Sequence, residues 1–244
     1  MGTGILNAQQ ITGNGNFVSK ERAVETFSKI QVNGSIDVVL EQGDQKVINV
    51  MADENLHEII VTSVENNTLV ISTKRNSGFS TKNKTEVHIY NSKIESLQLN
   101  GSGDALSKGK FSFADFEIAI SGSGDVNLHA DANNLTLSTH GSGDIKLEGT
   151  YNTVTATTSG SGDIGLKGSS TTLTFSSTGS GDLDAFGLKT NDVSVTTTGS
   201  GDAKVNAEKS LMVKSNGSGD VVYKGNPVSK SISAKGSGEC HQSN

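Results

Sequence analysis

A carboxylate returns at a nearly constant interval through the second half of the chain, each time at the end of the tetrapeptide Gly-Ser-Gly-Asp. If the repeats stack, these side chains form a ladder with neighbours about 5 Å apart, and like charges so close disfavour one another. Solvent, hydrogen bonds from backbone N–H groups or bound cations must therefore compensate. The ladder residues are Asp104, Asp125, Asp144, Asp163, Asp182, Asp202 and Asp220, and Glu239 takes the last place.

Two interpretations of this ladder stay open. In the first, which we favour, each aspartate accepts a hydrogen bond from the backbone of its own bend, as aspartates do in Asx-turns. In the second, the ladder binds calcium, as nonapeptide β-rolls do with the motif G-G-x-G-x-D. Calcium needs six to eight oxygen ligands, and one Asp and one Ser per repeat supply few. We therefore predict neither a metal site nor a cofactor.

A second set of polar residues precedes each tetrapeptide, where serine and threonine alternate with apolar residues. Such residues favour β-strands, so a solvated sheet face explains them without a ligand. Alternatively, they form a flat array of hydroxyls that binds glycan or ordered water, including ice, although mixed Ser and Thr are less uniform than an ice plane favours. The array consists of Thr136, Ser138, Thr155, Thr157, Thr174, Ser176, Ser194 and Thr196, with Ser231 and Ser233 further along.

No residue pattern indicates catalysis, and we predict a protein that is not an enzyme. β-Helix enzymes that cleave acidic polysaccharides need a cationic group beside the substrate carboxylates, but the only arginines, Arg22 and Arg75, precede the repeats. The five histidines share no position in the repeat and are expected at the surface. A polysaccharide-active enzyme remains the alternative, and carboxylates clustered within ~5–10 Å in a groove would favour it.

A repeat sets the positions of these residues. The tetrapeptides start 21, 19, 19, 19, 20, 18 and 19 residues apart, and a period near 20 is typical of a solenoid. Through each tetrapeptide, apolar or small residues keep one phase of a two-residue alternation. One such series is Leu135, Leu137, Thr139, Gly141, Gly143, Ile145 and Leu147. This alternation predicts β-strands that continue through the motif.

The same alternation places both glycines of each motif on the inward side. Because glycine has no side chain and adopts backbone angles closed to other residues, we predict that the motif is a corner where each coil turns over a narrow interior. Ser and Asp then point outward. The corner glycines are Gly101, Gly103, Gly122, Gly124, Gly141, Gly143, Gly160, Gly162, Gly179, Gly181, Gly199, Gly201, Gly217, Gly219, Gly236 and Gly238.

Coils of this length that join parallel strands predict an all-β fold, a right-handed parallel β-helix (β-solenoid) of about eight regular coils and roughly 35 Å in height. We assign residues 94–244 to the coils, 14–93 to an irregular β-rich N-terminal cap and 1–13 to a leader or signal remnant, in a single elongated domain. Within the cap, ADENLHEII predicts a short helix with Asp53 as its N-cap, and KRNSGFSTKNK a polar loop.

Composition limits the partners and the kinds of cross-link that we expect. A net charge of −6 argues against nucleic acid and anionic membranes as partners. No apolar run reaches the ~18 residues of a membrane helix. Cys240 is the only cysteine, so no internal disulfide is expected. Because little sequence follows Cys240, we expect a second protomer, the loop around Pro227, or both to cover the last coil.

Several segments resemble a known family in order and spacing. FSKIQVNGSIDVVLEQG, VMADENL and TLVIST, followed by the serial GSGD coils, are similar to the bacterial putative auto-transporter adhesin family, head GIN domain, over roughly residues 14–240. The resemblance implies a β-helical, exported cell-envelope protein, located in the periplasm, on the outer surface or outside the cell. We predict an adhesin or surface-binding module that uses the flat faces of the solenoid, with a glycan or cell-surface protein as partner. A purely structural envelope protein is a further alternative.

Overall fold

A computed structural model describes residues 9–43 and 47–243. The chain forms stacked parallel coils of β-strand, a solenoid of about eight turns, which confirms the predicted fold class. Residues 1–8 of the predicted leader lie outside the described residues. One short 3₁₀-helix, Glu54–Glu58, is the only helical element in the described part of the chain.

The N-terminal region forms the first coil and covers one end of the stack. β3 and β4 form that coil, and β7 and β9 pair with them in parallel on the side away from the regular coils. Antiparallel pairs β2–β5, β5–β9 and β6–β7 extend the cover. The strands are β1 (Gln9–Thr12), β2 (Phe17–Ala23), β3 (Lys29–Gly34), β4 (Asp37–Glu41), β5 (Val47–Asp53), β6 (Ile60–Glu65), β7 (Thr68–Thr73), β8 (Ser77–Ser80) and β9 (Glu86–Tyr90).

The regular coils follow, and each strand pairs in parallel with the equivalent strand of the next coil. β10 and β11 pair with β3 and β4, so the first coil is continuous with the rest of the stack. The strands are β10 (Ser96–Gly101), β11 (Ala105–Ile120), β12 (Val126–Thr139), β13 (Ile145–Thr158), β14 (Ile164–Ser177), β15 (Leu183–Thr197), β16 (Ala203–Ser215), β17 (Val221–Lys224), β18 (Ser229–Ala234) and β19 (Cys240–Gln242).

The core consists of columns of apolar side chains that run along the stack. Strand alternation turns every second residue inward, and parallel register places equivalent residues of successive coils next to one another. One column contains Val126, Ile145, Ile164, Leu183, Ala203 and Val221, all buried. Each coil therefore buries its few apolar side chains against the coils before and after it, which explains why a chain of only 32% hydrophobic residues folds.

The cap differs from the sequence predictions in three places. Asp53 precedes the 3₁₀-helix but makes no side-chain capping bond; its buried carboxylate accepts hydrogen bonds from Thr81 and Asn83. Part of the predicted polar loop forms β8, which pairs with β1. His57 and His88 are buried rather than at the surface. These contacts join residues about 30 to 70 positions apart, beyond the reach of a local pattern.

The two ends of the stack differ. At the C-terminal end, β18 and β19 pair with β16 and β17 on one side, and no described strand pairs with their other edges. All six residues of β18 are exposed, as is Val228 just before it. Cys240 is half-buried, and burial raises the pKa of its thiol.

No helix in the described part of the chain is long and apolar enough to span a membrane.

Candidate functional site in the corners and on the hydroxyl plane

The corners are held together by a forked hydrogen bond between successive coils. The carbonyl of the first glycine in one motif accepts two consecutive N–H groups of the next motif. Gly122, for example, accepts from Ser142 at 2.8 Å and from Gly143 at 3.2 Å, both measured from nitrogen to oxygen. The same pattern runs from Gly34, in the first coil, to Gly160. The backbones of neighbouring coils are therefore in direct contact at the corners.

This contact, rather than an inward bend, explains the glycines. A Cβ atom on Gly143 would lie far inside van der Waals contact of the Gly124 carbonyl oxygen, and equivalent clashes occur at all sixteen corner glycines. The missing side chains would point toward the preceding coil, along the stack. Burial fits the predicted inward position only for the second glycine of each motif, which is buried, whereas the first is partly exposed, or fully exposed in the last motif.

The aspartate ladder also connects coils, which corrects the prediction that each side chain bonds its own bend. Oδ1 of each aspartate accepts the backbone N–H of the aspartate in the next coil, as in Asp182 to Asp163 at 2.8 Å. The series starts at Asp37, which the sequence analysis missed, and ends where Glu239 donates to Asp220. Burial raises the pKa of Asp37, although the Asp104 N–H favours its charged form.

These bonds assign the ladder a structural role. The same backbone N–H to Oδ1 hydrogen bond runs from Asp125 to Asp104, Asp144 to Asp125, Asp163 to Asp144, Asp202 to Asp182 and Asp220 to Asp202, each between 2.7 and 3.0 Å. One oxygen of every carboxylate is thus already used. Among the described residues, no group of three or more His, Cys, Asp or Glu side chains is arranged to hold a metal ion.

The face before the corners carries a larger hydroxyl array than the sequence analysis proposed. Four columns cross four coils, and thirteen of the sixteen positions are Ser or Thr. We call this surface the hydroxyl plane. Its rows are Asn134, Thr136, Ser138 and His140; Thr153, Thr155, Thr157 and Ser159; Thr172, Thr174, Ser176 and Thr178; and Asp192, Ser194, Thr196 and Thr198. Every one of these residues is exposed or half-exposed.

The hydroxyl plane is regular and almost uncharged. Strand geometry spaces its hydroxyls about 4.8 Å apart between coils and roughly 6.6 Å apart along a strand. Within the described residues, the hydroxyls of its first three columns make no hydrogen bond to other protein groups. Charged or larger side chains border it: Glu117 in the coil before, and Met212 and Lys214 in the coil after. Ser231 and Ser233 lie beyond this border and are exposed.

A buried column of hydroxyls lies directly behind the plane, at the last inward position before each corner. Thr158 and Ser177 hydroxyls are 3.2 Å apart, and Thr197 donates to Ser215 at 3.1 Å. The Thr139 hydroxyl is also buried, but no described group pairs with it. The alternation predicted that these residues point inward, yet it contained no signal for the hydrogen bonds between coils.

A groove lies at the N-terminal border of the plane, between β11, β12 and the loop at 92–96, and its volume is about 670 Å³. We call it the border groove. Its charged lining consists of Lys29, Lys93, Glu95, Asp115 and Glu117, and Asn134 and Thr136 of the hydroxyl plane complete one side. A second groove, of about 640 Å³, lies beyond the corners between the aspartate ladder and Lys146, Lys167 and Lys204.

Where the cap meets the first coil, His88 lies between two carboxylates. His88 Nδ1 lies 2.6 Å from Glu41 Oε1, and its Nε2 lies 3.2 Å from Glu86 Oε2. Burial opposes ionisation of Glu41, but hydrogen bonds from His88 and Lys108 lower its pKa below the ordinary value. The cluster joins β4, β9 and β11. His129 and His140 are exposed, as predicted.

The comparisons with known proteins agree with this architecture. The model of the family described as "Putative auto-transporter adhesin, head GIN domain" matches residues 26–167 and 152–227. The chain belongs to this family. A comparison with curated proteins found no match.

Solved structures similar to this family member cover nearly its whole length. A "putative adhesin" from Parabacteroides merdae is 23% identical with a TM-score of 0.89, covering 97% of this chain and 100% of its own, and shows the same fold. A "putative lipid binding protein" from Parabacteroides distasonis is 27% identical with a TM-score of 0.84 and the same coverage. A "putative adhesin" from that species is 25% identical with a TM-score of 0.82, covering 96% of this chain and 100% of its own.

Proposed function

We propose that this adhesin-family protein is a non-enzymatic, exported cell-envelope module that binds neutral polysaccharide through the hydroxyl plane. The observation that carries the proposal is the plane itself: thirteen Ser and Thr residues on four coils in a chain of net charge −6. The family description, an auto-transporter adhesin, supports the proposed export and cell-envelope location.

The chemistry of the plane suits this class of ligand. A hydroxyl both donates and accepts, so it matches sugar hydroxyls in either sense. Each such bond contributes little against water, on the order of 1 kcal/mol. Useful affinity therefore requires many contacts at once, which an extended polymer supplies and a monosaccharide does not. The two middle columns of the hydroxyl plane contain no charged residue, which favours neutral over acidic polymers.

A pull-down with insoluble neutral polysaccharides tests the proposal. Cellulose, chitin, mannan and curdlan are incubated with the wild type and with Thr155→Lys/Thr174→Lys, which places two charges at the centre of the plane. Asn152→Lys/Thr171→Lys is the matched control, because both residues are exposed and lie in the same two coils outside the plane. We expect the plane variant to lose affinity for the bound polymer by about tenfold or more, with the control unchanged.

Two outcomes would overturn the proposal. One is that the wild type binds none of the polymers, which favours a purely structural envelope protein. The other is that plane and control variants bind a polymer equally well. Both variants should melt near the wild-type temperature, because strand-face substitutions at exposed sites change stability by only about 0.5 kcal/mol.

A polysaccharide-active enzyme is the second candidate, and one observation favours it. The border groove brings together Glu95, Asp115 and Glu117, which lie off the aspartate ladder. Two of them are already hydrogen-bonded: Glu95 accepts from Ser28 and Asp115 from Asn134. Release of new reducing ends from the bound polymer, abolished by Glu117→Gln, would establish the enzyme in place of the binding module.

A further inference from the structure

The border groove continues the hydroxyl plane rather than forming a separate site. Lys29, Ser96, Glu117 and Thr136 occupy the same position in four successive coils, and Thr136 begins a column of the plane. Asp115 and Asn134 are likewise in register in the neighbouring column. A polymer that lies along the plane therefore reaches the groove without changing direction.

The groove is bounded by a wall held in place by hydrogen bonds. Asn91 is buried; its side-chain amide donates to the Phe27 carbonyl at 3.1 Å and accepts the Lys93 N–H at 2.8 Å. Ser28 donates to Glu95 at 2.8 Å at the other end of the same loop. A wall that is already fixed in the free protein does not have to be ordered when a chain binds, which is the general advantage of preorganisation.

The floor under this wall is also rigid. Phe113 and Phe116 pack against each other with ring centroids 4.3 Å apart, and Phe111 stacks on Phe113 at 5.7 Å. Ala114 lies between them in sequence, is exposed and lines the groove, so its small side chain keeps the groove open. The volume of about 670 Å³ is within the range of small-molecule sites.

The chemistry of the groove differs from that of the plane. The plane presents uncharged hydroxyls, whereas the groove presents carboxylates of Glu95, Asp115 and Glu117 and ammonium groups of Lys29 and Lys93. Carboxylates accept only and ammonium groups donate only, and hydrogen bonds to charged groups are stronger than neutral ones. The terminal sugar of a chain keeps free the hydroxyl that internal sugars use for their linkage. It can therefore form hydrogen bonds with more of these charged groups.

We infer that the border groove is a subsite for the terminal sugar of a neutral saccharide chain whose following sugars lie on the hydroxyl plane. The inference rests on the proposed function and adds to it that the protein recognises chain ends. The plane alone supplies affinity for polymer surfaces. The groove supplies affinity for short chains, which have many ends and few contacts with the plane.

Calorimetry with soluble hexasaccharides tests this inference. The probes are cellohexaose, chitohexaose, mannohexaose and laminarihexaose, titrated into the wild type, Ala114→Trp and Glu117→Gln. Ala114→Trp fills the groove, and Glu117→Gln removes a charge while keeping the shape of the side chain. Asn152→Trp is the control for an added exposed indole. We expect Ala114→Trp to weaken binding of the preferred hexasaccharide about tenfold or more, Glu117→Gln to weaken it several-fold, and Asn152→Trp to leave it unchanged.

The polymer pull-down on the same variants separates this inference from the proposed function. Ala114→Trp should still bind the insoluble polymer within about twofold of the wild type, because the plane is intact. If both groove variants bind hexasaccharide as the wild type does, or if the wild type binds polymer but no hexasaccharide, the subsite is refuted while the plane remains. If no polymer is bound at all, the proposed function fails first.

Discussion

At each corner, an aspartate side chain takes the place of a backbone carbonyl as the hydrogen-bond acceptor between coils. The chain turns at each motif, and the carboxylate of the preceding coil, not a carbonyl, accepts the N–H of each ladder residue. The bond resembles helix capping, in which a short polar side chain satisfies a backbone donor where the regular ladder ends. Sequence alone predicted a structural carboxylate but not its partner, because the partner lies one full coil away.

Asp163 provides a direct test of this role. Asp163→Ala leaves the Asp182 N–H without its acceptor and should destabilise the fold by about 1 kcal/mol, whereas Asp163→Asn keeps an Oδ1 acceptor and should cost less. Urea unfolding measures both. Chelator should leave the wild-type melting temperature unchanged, and a clear fall on chelation would instead indicate that the ladder binds calcium.

The buried hydroxyl column offers a matched pair of substitutions. Thr139 and Thr158 occupy the same position in neighbouring coils and both are fully buried, but only Thr158 has a hydroxyl partner, Ser177. Thr158→Val should therefore lower the free energy of unfolding by about 1 kcal/mol, and Thr139→Val should leave it unchanged or raise it. Equal losses in both variants would contradict this reading of the column.

At the scale of elements, the corners depend on close contact between backbones. Gly143→Ala should destabilise by about 2–3 kcal/mol, because even one carbon meets the Gly124 carbonyl. Ser142→Ala, at the exposed position beside it, should be nearly neutral. Thermal or urea unfolding distinguishes this explanation from the inward-bend prediction. An interior constraint would tolerate alanine and reject only larger side chains such as valine.

In the cap, the stabilisation contributed by Asp53 depends on pH. Hydrogen bonds from Thr81, then Asn83, lower the pKa of Asp53 below its ordinary value. A lowered folded-state pKa means that the stabilisation is fully present above the unfolded value, about 4, and is lost as pH falls through the folded value. We expect the melting temperature to fall less steeply below pH 4 in Asp53→Asn than in the wild type. Identical acid slopes would assign the loss to other carboxylates.

Strands and corners were predictable because alternation and fixed spacing are local properties. Leu135 to Leu147 show a strand, a corner and a second strand within thirteen residues. The cap was less predictable, since His57 and His88 are buried by strands distant in sequence. The border groove was not predictable at all. Its wall, at residues 92–96, lines one groove with β11 and β12 only because the coils stack, and no motif marks that arrangement.

At the scale of the molecule, the unpaired edge of the last coil has a charged residue, Lys230, at a position that is apolar in the preceding coil. Lys230 follows Leu211 in register, and its ammonium group lies 5.8 Å from the centre of the Tyr223 ring. An inward-pointing charge is a known means of limiting edge-to-edge association. Association of two protomers through this end, expected from the sequence, stays a prediction.

Lys230→Leu should shift the molecule toward a dimer or larger assembly, since it completes the apolar column on an open edge. Light scattering over a range of concentrations measures the mass of the wild type, Lys230→Leu and the control Lys235→Leu, which alters an exposed lysine of the same coil. The same mass for all three proteins would show that Lys230 does not govern association.

Each corner offers a carboxylate oxygen to a backbone N–H of the next coil, and this shared bond makes the coils equivalent units. Every coil uses one acceptor from the coil before it and offers one to the coil after it, so adding or removing a whole unit leaves no bond unmatched within the stack. Duplication of a 19-residue segment can therefore lengthen the molecule in a single step. The area available to a ligand would then grow in increments of one row of hydroxyls, with both ends of the stack unchanged.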